Sequence, residues 1–114
     1  MKNKLRLVVN NKYQKKEKFF IKKELQTILN LYAKMVSNGS WKDYGLTYDS
    51  KEISFDVYLR ASERPIFRIL KNLKPFKLNE KFLIKNNMGQ IVKKSENLNV
   101  LITKTNWNNL KVIK

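Results

Sequence analysis

The sequence predicts an α+β fold: one amphipathic helix over about residues 22–37, packed on an antiparallel sheet of about four to six strands. Three observations carry this. Apolar residues recur at helical spacing between Leu25 and Val36, a strict two-residue alternation runs from Ile53 to Arg60, and turn signals separate short apolar segments on either side of it.

At 114 residues the chain is long enough for one domain, which buries roughly 65% of the surface of its unfolded form. Residues 1–18 read as a basic N-terminal segment ahead of a single domain over 19–114. Leu5, Leu7 and Val9 alternate with Lys4, Arg6 and Val8 as a short edge strand would. Asn10 to Lys18 is polar and basic, the composition of a solvated linker or of an electrostatic arm for phosphate.

In the helix, Leu25, Ile28, Leu29, Tyr32, Met35 and Val36 form one stripe, and Lys23, Gln26, Thr27, Asn30, Lys34 and Ser37 occupy the opposite arc. Its start is weak, because Ile21 has no capping oxygen and Lys22 and Lys23 oppose the helix dipole. Phe19 or Phe20 compensates by packing back towards Leu25, as a hydrophobic staple does. Asn38-Gly39 supplies the left-handed residue that ends the helix.

Ile53, Phe55, Val57 and Leu59 alternate with Ser54, Asp56, Tyr58 and Arg60, a strand with one buried face. A turn at Asp49-Ser50-Lys51-Glu52 pairs Tyr48 with Ile53, Leu46 with Phe55 and Tyr44 with Val57. A corner over Ala61 to Pro65 pairs Leu59 with Phe67 and Val57 with Ile69, with Pro65 opening a strand over Ile66 to Leu70. Both registers set apolar beside apolar on the face that the helix covers. The other face then carries Asp43, Tyr58 and Arg68 in one row, with Trp41, Arg60 and Ile66 in the next.

Lys71 to Asn79 reads as a lysine-rich connection broken by Pro75. A second hairpin around Asn86-Asn87-Met88-Gly89 joins 82–85 to 90–94, pairing Leu83 with Val92 and Ile84 with Ile91. From Ser95 onward the pattern admits two forms: a helix capped by Ser95 and built on Leu98, Leu101 and Ile102, or a strand over Val100 to Thr103. Trp107 and the closing LKVIK are expected to pack back on the domain.

Composition bounds the chemistry. Cysteine and histidine are absent, which removes thiolate nucleophiles, disulfide frameworks, Cys/His zinc sites and histidine triads. The three glycines are too scattered for a phosphate-binding loop. Asp43, Asp56 and Glu63 stand among Arg60, Arg64 and Arg68 and read as ion pairs, so neither a catalytic set, a metal site nor a cofactor is predicted. No apolar run approaches the roughly 18 residues of a membrane span. The start MKNKLRLVVNN lacks the apolar core and cleavage site of a signal peptide, so the expected compartment is the cytoplasm.

The net charge is +16, yet of 25 basic residues only Arg6, Arg60, Arg64 and Arg68 are arginines. Lysine and asparagine enrichment is what an AT-rich genome imposes, whereas readers of phosphates and bases lean on arginine. The charge also sits at the ends: residues 1–23 carry +8 and 67–114 carry +9, while 41–66 carry −1.

The stretch KKELQTILNLYAKMVSNGSWKDYGL, followed by the acidic turn, the alternating strand and RASERPIFRI, resembles a family of short alphaproteobacterial proteins, domain of unknown function 2794. Trp41, Asp43, Tyr44, Arg60, Glu63, Pro65 and Arg68 fall on the pattern, and the resemblance covers about residues 19–105. It implies no activity. Ile21 departs from it, standing where the family favours aspartate as the helix cap.

Two functions fit. In the first, a cytoplasmic, non-enzymatic module binds RNA, DNA or a ribonucleoprotein: its basic ends give affinity, and a recognition face of Trp41, Asp43, Tyr58, Arg60 and Arg68 gives selectivity, beside a loop holding Glu63 and Arg64. In the second, that aromatic face is an interface for a protein partner or a homodimer.

Overall fold

Consecutive strands of this chain pair with their sequence neighbours, through tight turns and longer connections alike. The computed structural model describes residues 18–60 and 64–107. Through them run α1 (Lys22–Ser37), β1 (Asp43–Tyr48), β2 (Glu52–Tyr58), β3 (Phe67–Asn72), β4 (Phe82–Asn86), β5 (Ile91–Ser95) and α2 (Leu98–Lys104). The strands form one five-stranded antiparallel sheet in sequence order, a meander with β1 and β5 at its edges. The expected α+β architecture is the observed one. The strand expected at Leu5–Val9, the linker Asn10–Lys18 up to residue 17, Glu63 and the closing LKVIK lie outside the described residues.

α1 buries Ile28, Leu31 and Met35, with Leu25, Leu29 and Tyr32 half-buried at the rim of the same core. The observed stripe is rotated from the expected one: Leu31 is buried, and Val36 is among the exposed hydrophobics. α2 is the reason. Leu31, Lys34 and Met35 line a groove against Thr103–Trp107, so the core extends to the side of α1 where the second helix lies. Phe20 is buried in the core just ahead of the helix, as a staple would be. Ile21 offers no side-chain cap, but the Glu24 carboxylate accepts the Ile21 N–H at 2.9 Å, satisfying one orphan donor of the first turn. The helix stops at Asn38, and Gly39 follows in the left-handed region with φ 83°.

The β1–β2 register is the expected one, with Tyr48 opposite Ile53, Leu46 opposite Phe55 and Tyr44 opposite Val57. The β2–β3 register is not. Val57 faces Phe67 and Phe55 faces Ile69, two residues from the expected pairing. β2 ends at Tyr58, so Leu59 and Arg60 belong to the connection, and the Ile66 N–H closes it onto the Val57 carbonyl at 2.7 Å. Pro65 stands two residues before β3 and does not open it. An even shift keeps every side chain on its face, so the core survives while the cross-strand neighbours change.

The second hairpin shifts too. Leu83 faces Lys94 and Ile84 faces Lys93, and a bulge at Ile84/Lys85 brings Ile91 opposite Lys85. Asn86 organises this turn, its side-chain oxygen accepting from the Met88 and Gln90 N–H groups, and Gly89 takes φ 80°. After β5 the chain resolves as helix. Asn97 caps it rather than Ser95, accepting the Val100 N–H at 2.9 Å.

One lysine expected in the loop after β3 lies inside the protein. Lys71 belongs to β3 on the helix-facing side, 1% exposed, with its Nζ 2.7 Å from Glu24 Oε1 and 3.1 Å from the Phe19 carbonyl. The ion pair fastens the start of α1 to the centre of the sheet. Ile28, Phe55, Ile69 and Ile84 are fully buried between those layers. Among the described residues, no helix is long and apolar enough to cross a membrane.

Candidate functional site

The residues singled out by sequence do not share one face. Trp41 follows α1 directly, its N–H bonded to the Met35 carbonyl, and this hand-over turns the indole inward. It is 2% exposed, edge-on to Trp107 at 5.5 Å and tilted against Tyr32 at 6.3 Å. It is therefore a core residue under the helix, and the expected row of Trp41, Arg60 and Ile66 is not formed. Ile66 is likewise half-buried against the core.

Asp43 does face Tyr58 across β1 and β2, as expected. Arg68 does not join them, because the two-residue shift sets it opposite Asp56. The row that forms runs Gly45, Asp56, Arg68, Lys85. Its centre is the Asp56 carboxylate, 1% exposed, which accepts the Ser54 hydroxyl at 2.6 Å and the Thr47 hydroxyl at 2.7 Å. Arg68 Nε stands 3.4 Å from the same carboxylate, with 39% of its side chain exposed. Both oxygens of a buried charge are thus occupied by strand neighbours, and the arginine that was to read a ligand balances that charge. Tyr58 is half-buried, and Arg60 and Arg64 are exposed within the β2–β3 connection. Glu63 lies outside the described residues.

Among the described residues, no cluster of three or more Asp, Glu, His or Cys could hold a metal ion. Two open grooves are lined by described residues. One of about 450 Å³ lies between the start of α1 and the β5–α2 junction, lined by Lys23, Glu24, Lys81, Glu96 and Asn97 among others. The other, about 350 Å³, lies between α1 and α2.

The prominent surface feature is one that the sequence argument passed over. Tyr44, Leu46 and Tyr48 lie on the helix-facing side of β1, yet they are 43%, 41% and 68% exposed. A helix about 10–12 Å wide covers only two or three strands spaced about 4.8 Å apart. α1 sits over the sheet's centre, so the β1 row is left at its margin. Tyr44 stacks on Phe55 with ring centres 4.7 Å apart, and Tyr48 meets Phe19 edge-on at 6.3 Å. Burial, then the charge of Asp43 and the neighbouring Tyr44, push the Tyr32 phenol above its ordinary pKa. That hydroxyl stays protonated and donates weakly to the Lys42 carbonyl at 3.4 Å. The signal was present in the meander itself, because the first strand of a meander is an edge.

The backbone of β1 is aimed outward at these same residues. The Asp49 N–H bonds to the Glu52 carbonyl at 2.9 Å, which makes 49/52 a hydrogen-bonded pair. Antiparallel alternation then turns Gly45 and Thr47 towards β2, and Tyr44, Leu46 and Tyr48 towards the open edge. The Tyr44 N–H is taken by Asp43 Oδ1 at 2.8 Å, as an outward donor requires.

A family model described as Protein of unknown function (DUF2794) matches residues 18–102. The chain belongs to this family. The DUF2794 match takes in α1, all five strands and most of α2, so edge strand β1 and the Asp56 row are both inside it. Residues 1–17 and 103–114, outside the match, carry +8 of the net charge of +16. No curated protein and no solved structure is similar enough to count as a match.

Proposed function

We propose that this DUF2794 chain is a non-enzymatic protein-interaction module, and that the open edge of β1 is its docking element. One observation carries the reading: among the described residues no strand pairs with the outer side of β1, and the single charge guarding that edge is Asp43 at its first position. The strand holds no lysine and no proline, its six residues pair with β2 without a bulge, and its outer row is Tyr44, Leu46 and Tyr48. The opposite edge, β5, has Lys93, Lys94 and a bulge beside it. An exposed, regular, apolar edge offers main-chain hydrogen bonds and side-chain contacts to an added strand.

The nucleic-acid reading loses support for two reasons. Trp41, one of its two candidate stacking residues, is buried, and Arg68 is engaged by Asp56. What remains for it is Tyr58, Arg60 and a net charge half of which lies outside the family match.

Capture of partners from native extract by wild-type and Leu46→Lys chains, with nuclease present, tests the reading. A bound protein should survive nuclease, be lost with Leu46→Lys, and slow amide exchange at Leu46 and Tyr48. Retention that disappears with nuclease and ignores Leu46→Lys returns the function to nucleic acid.

A further inference from the structure

We infer that the strand added to β1 is β1 of a second copy of this chain, in a two-fold antiparallel pairing centred on Leu46; this rests on the strand-accepting reading above. The register follows from three conditions. An antiparallel partner must offer its own outward-facing groups, which on β1 belong to Tyr44, Leu46 and Tyr48. The helix-facing sides of the two sheets must coincide, so residues of the same parity must meet. All three outward residues find partners only when Leu46 faces its own equivalent. Tyr44 then lies opposite Tyr48 of the other copy, and Tyr48 opposite its Tyr44. The result is a ten-stranded sheet in which the apolar row Leu46–Phe55–Ile69–Ile84 continues across the junction into the same row of the second copy, with Gly45 and Thr47 facing each other on the reverse side.

Charge selects the same surface. Two protomers of +16 repel, and a self-contact is least opposed where the chain carries no positive excess. Residues 41–66, which contain β1, carry −1, against +8 and +9 for 1–23 and 67–114. Within β1 the single charge is Asp43, whose carboxylate accepts the Tyr44 N–H in the lone protomer and gives it up when the 44/48 pair forms. A five-residue pairing, Tyr44 to Tyr48, is a small interface, so the dimer is a concentration-dependent one.

The absence of cysteine makes the geometry testable with single thiols. Equivalent Leu46 residues in such a pair have Cα atoms about 5.5 Å apart, inside the ~4.4–6.8 Å range of a disulfide. Equivalent Tyr44 residues are displaced by four positions, about 14 Å at ~3.4 Å per residue.

Under mild oxidation, Leu46→Cys should therefore cross-link to itself and Tyr44→Cys should not. A mixture of Tyr44→Cys and Tyr48→Cys should give the mixed dimer. Sedimentation of the wild-type chain should show reversible dimerisation, weakened about tenfold or more by Leu46→Lys. A chain that stays monomeric at all concentrations, or a dimer that survives Leu46→Lys without a Leu46→Cys cross-link, overturns the proposal. Failure of the dimer alone, with the underlying reading intact, looks different. If the chain is monomeric but a partner protein is lost with Leu46→Lys, β1 accepts a foreign strand and only the second copy is wrong.

Discussion

At the scale of single residues, two buried charges hold this protein together, and each is satisfied by a specific neighbour. Lys71 lies on the core side of β3 with its ammonium on Glu24, whose same oxygen also accepts the Ile21 N–H. Asp56 lies on the other side, closed by two hydroxyls and Arg68. Burial of either charge alone is costly, so removing one partner of the first pair is worse than removing both. Lys71→Met should lower the free energy of unfolding by about 3 kcal/mol in urea titration. Adding Glu24→Gln to Lys71→Met should recover part of that loss, because the leftover carboxylate is then neutral. An equal or larger loss in the double variant would show that the cap made by Glu24, not its charge, is what matters. Neither buried charge was legible in the sequence. Lys71 sits in a run rich in lysine, and nothing in the spacing separates the one that points inward from those that do not.

At the scale of elements, the register set by the Asp49–Glu52 turn was legible, and those of the longer β2–β3 connection and of the bulged β4–β5 hairpin were not. Asp49-Ser50-Lys51-Glu52 admits one closure, so all three expected pairs of β1 and β2 are found. The Leu59–Ile66 connection admits several, and the observed one differs by two residues, enough to move Arg68 from Tyr58 to Asp56. That is why the fold could be read and the candidate face could not. The tight turn carries its own pH dependence. The backbone N–H groups of Lys51 and Glu52 both bond to the Asp49 carboxylate, and they hold its pKa below the ordinary value. A depressed carboxylate contributes stability that is present above its unfolded pKa, about 3.9, and lost as pH falls through the folded value. Wild-type unfolding midpoints should therefore drop below about pH 4 more steeply than those of Asp49→Asn, which keeps the acceptor oxygen but not the charge. Parallel curves would remove Asp49 from the turn's energetics.

At the scale of the whole molecule, charge and architecture are separable. Helix α1, the five strands and most of α2 lie within the family match, while half of the net charge lies outside it. The two candidate functions consequently respond to salt with opposite signs. Binding of nucleic acid releases counterions, so its affinity falls log-linearly as salt rises, more steeply the more lysines touch phosphate. Pairing of two +16 protomers through β1 works against their mutual repulsion, which salt screens over a length of about 10 Å at 0.1 M. Its affinity should rise with salt and then level off, since main-chain hydrogen bonds and the Tyr44–Leu46–Tyr48 row are insensitive to screening. Deleting residues 1–17 removes a net +5 from each protomer, so it should strengthen the dimer at low salt and matter little at high salt. Sedimentation of the full and shortened chains across a salt series measures both effects. Self-association that weakens with salt would show that ion pairs, and not the apolar edge of β1, hold the copies together.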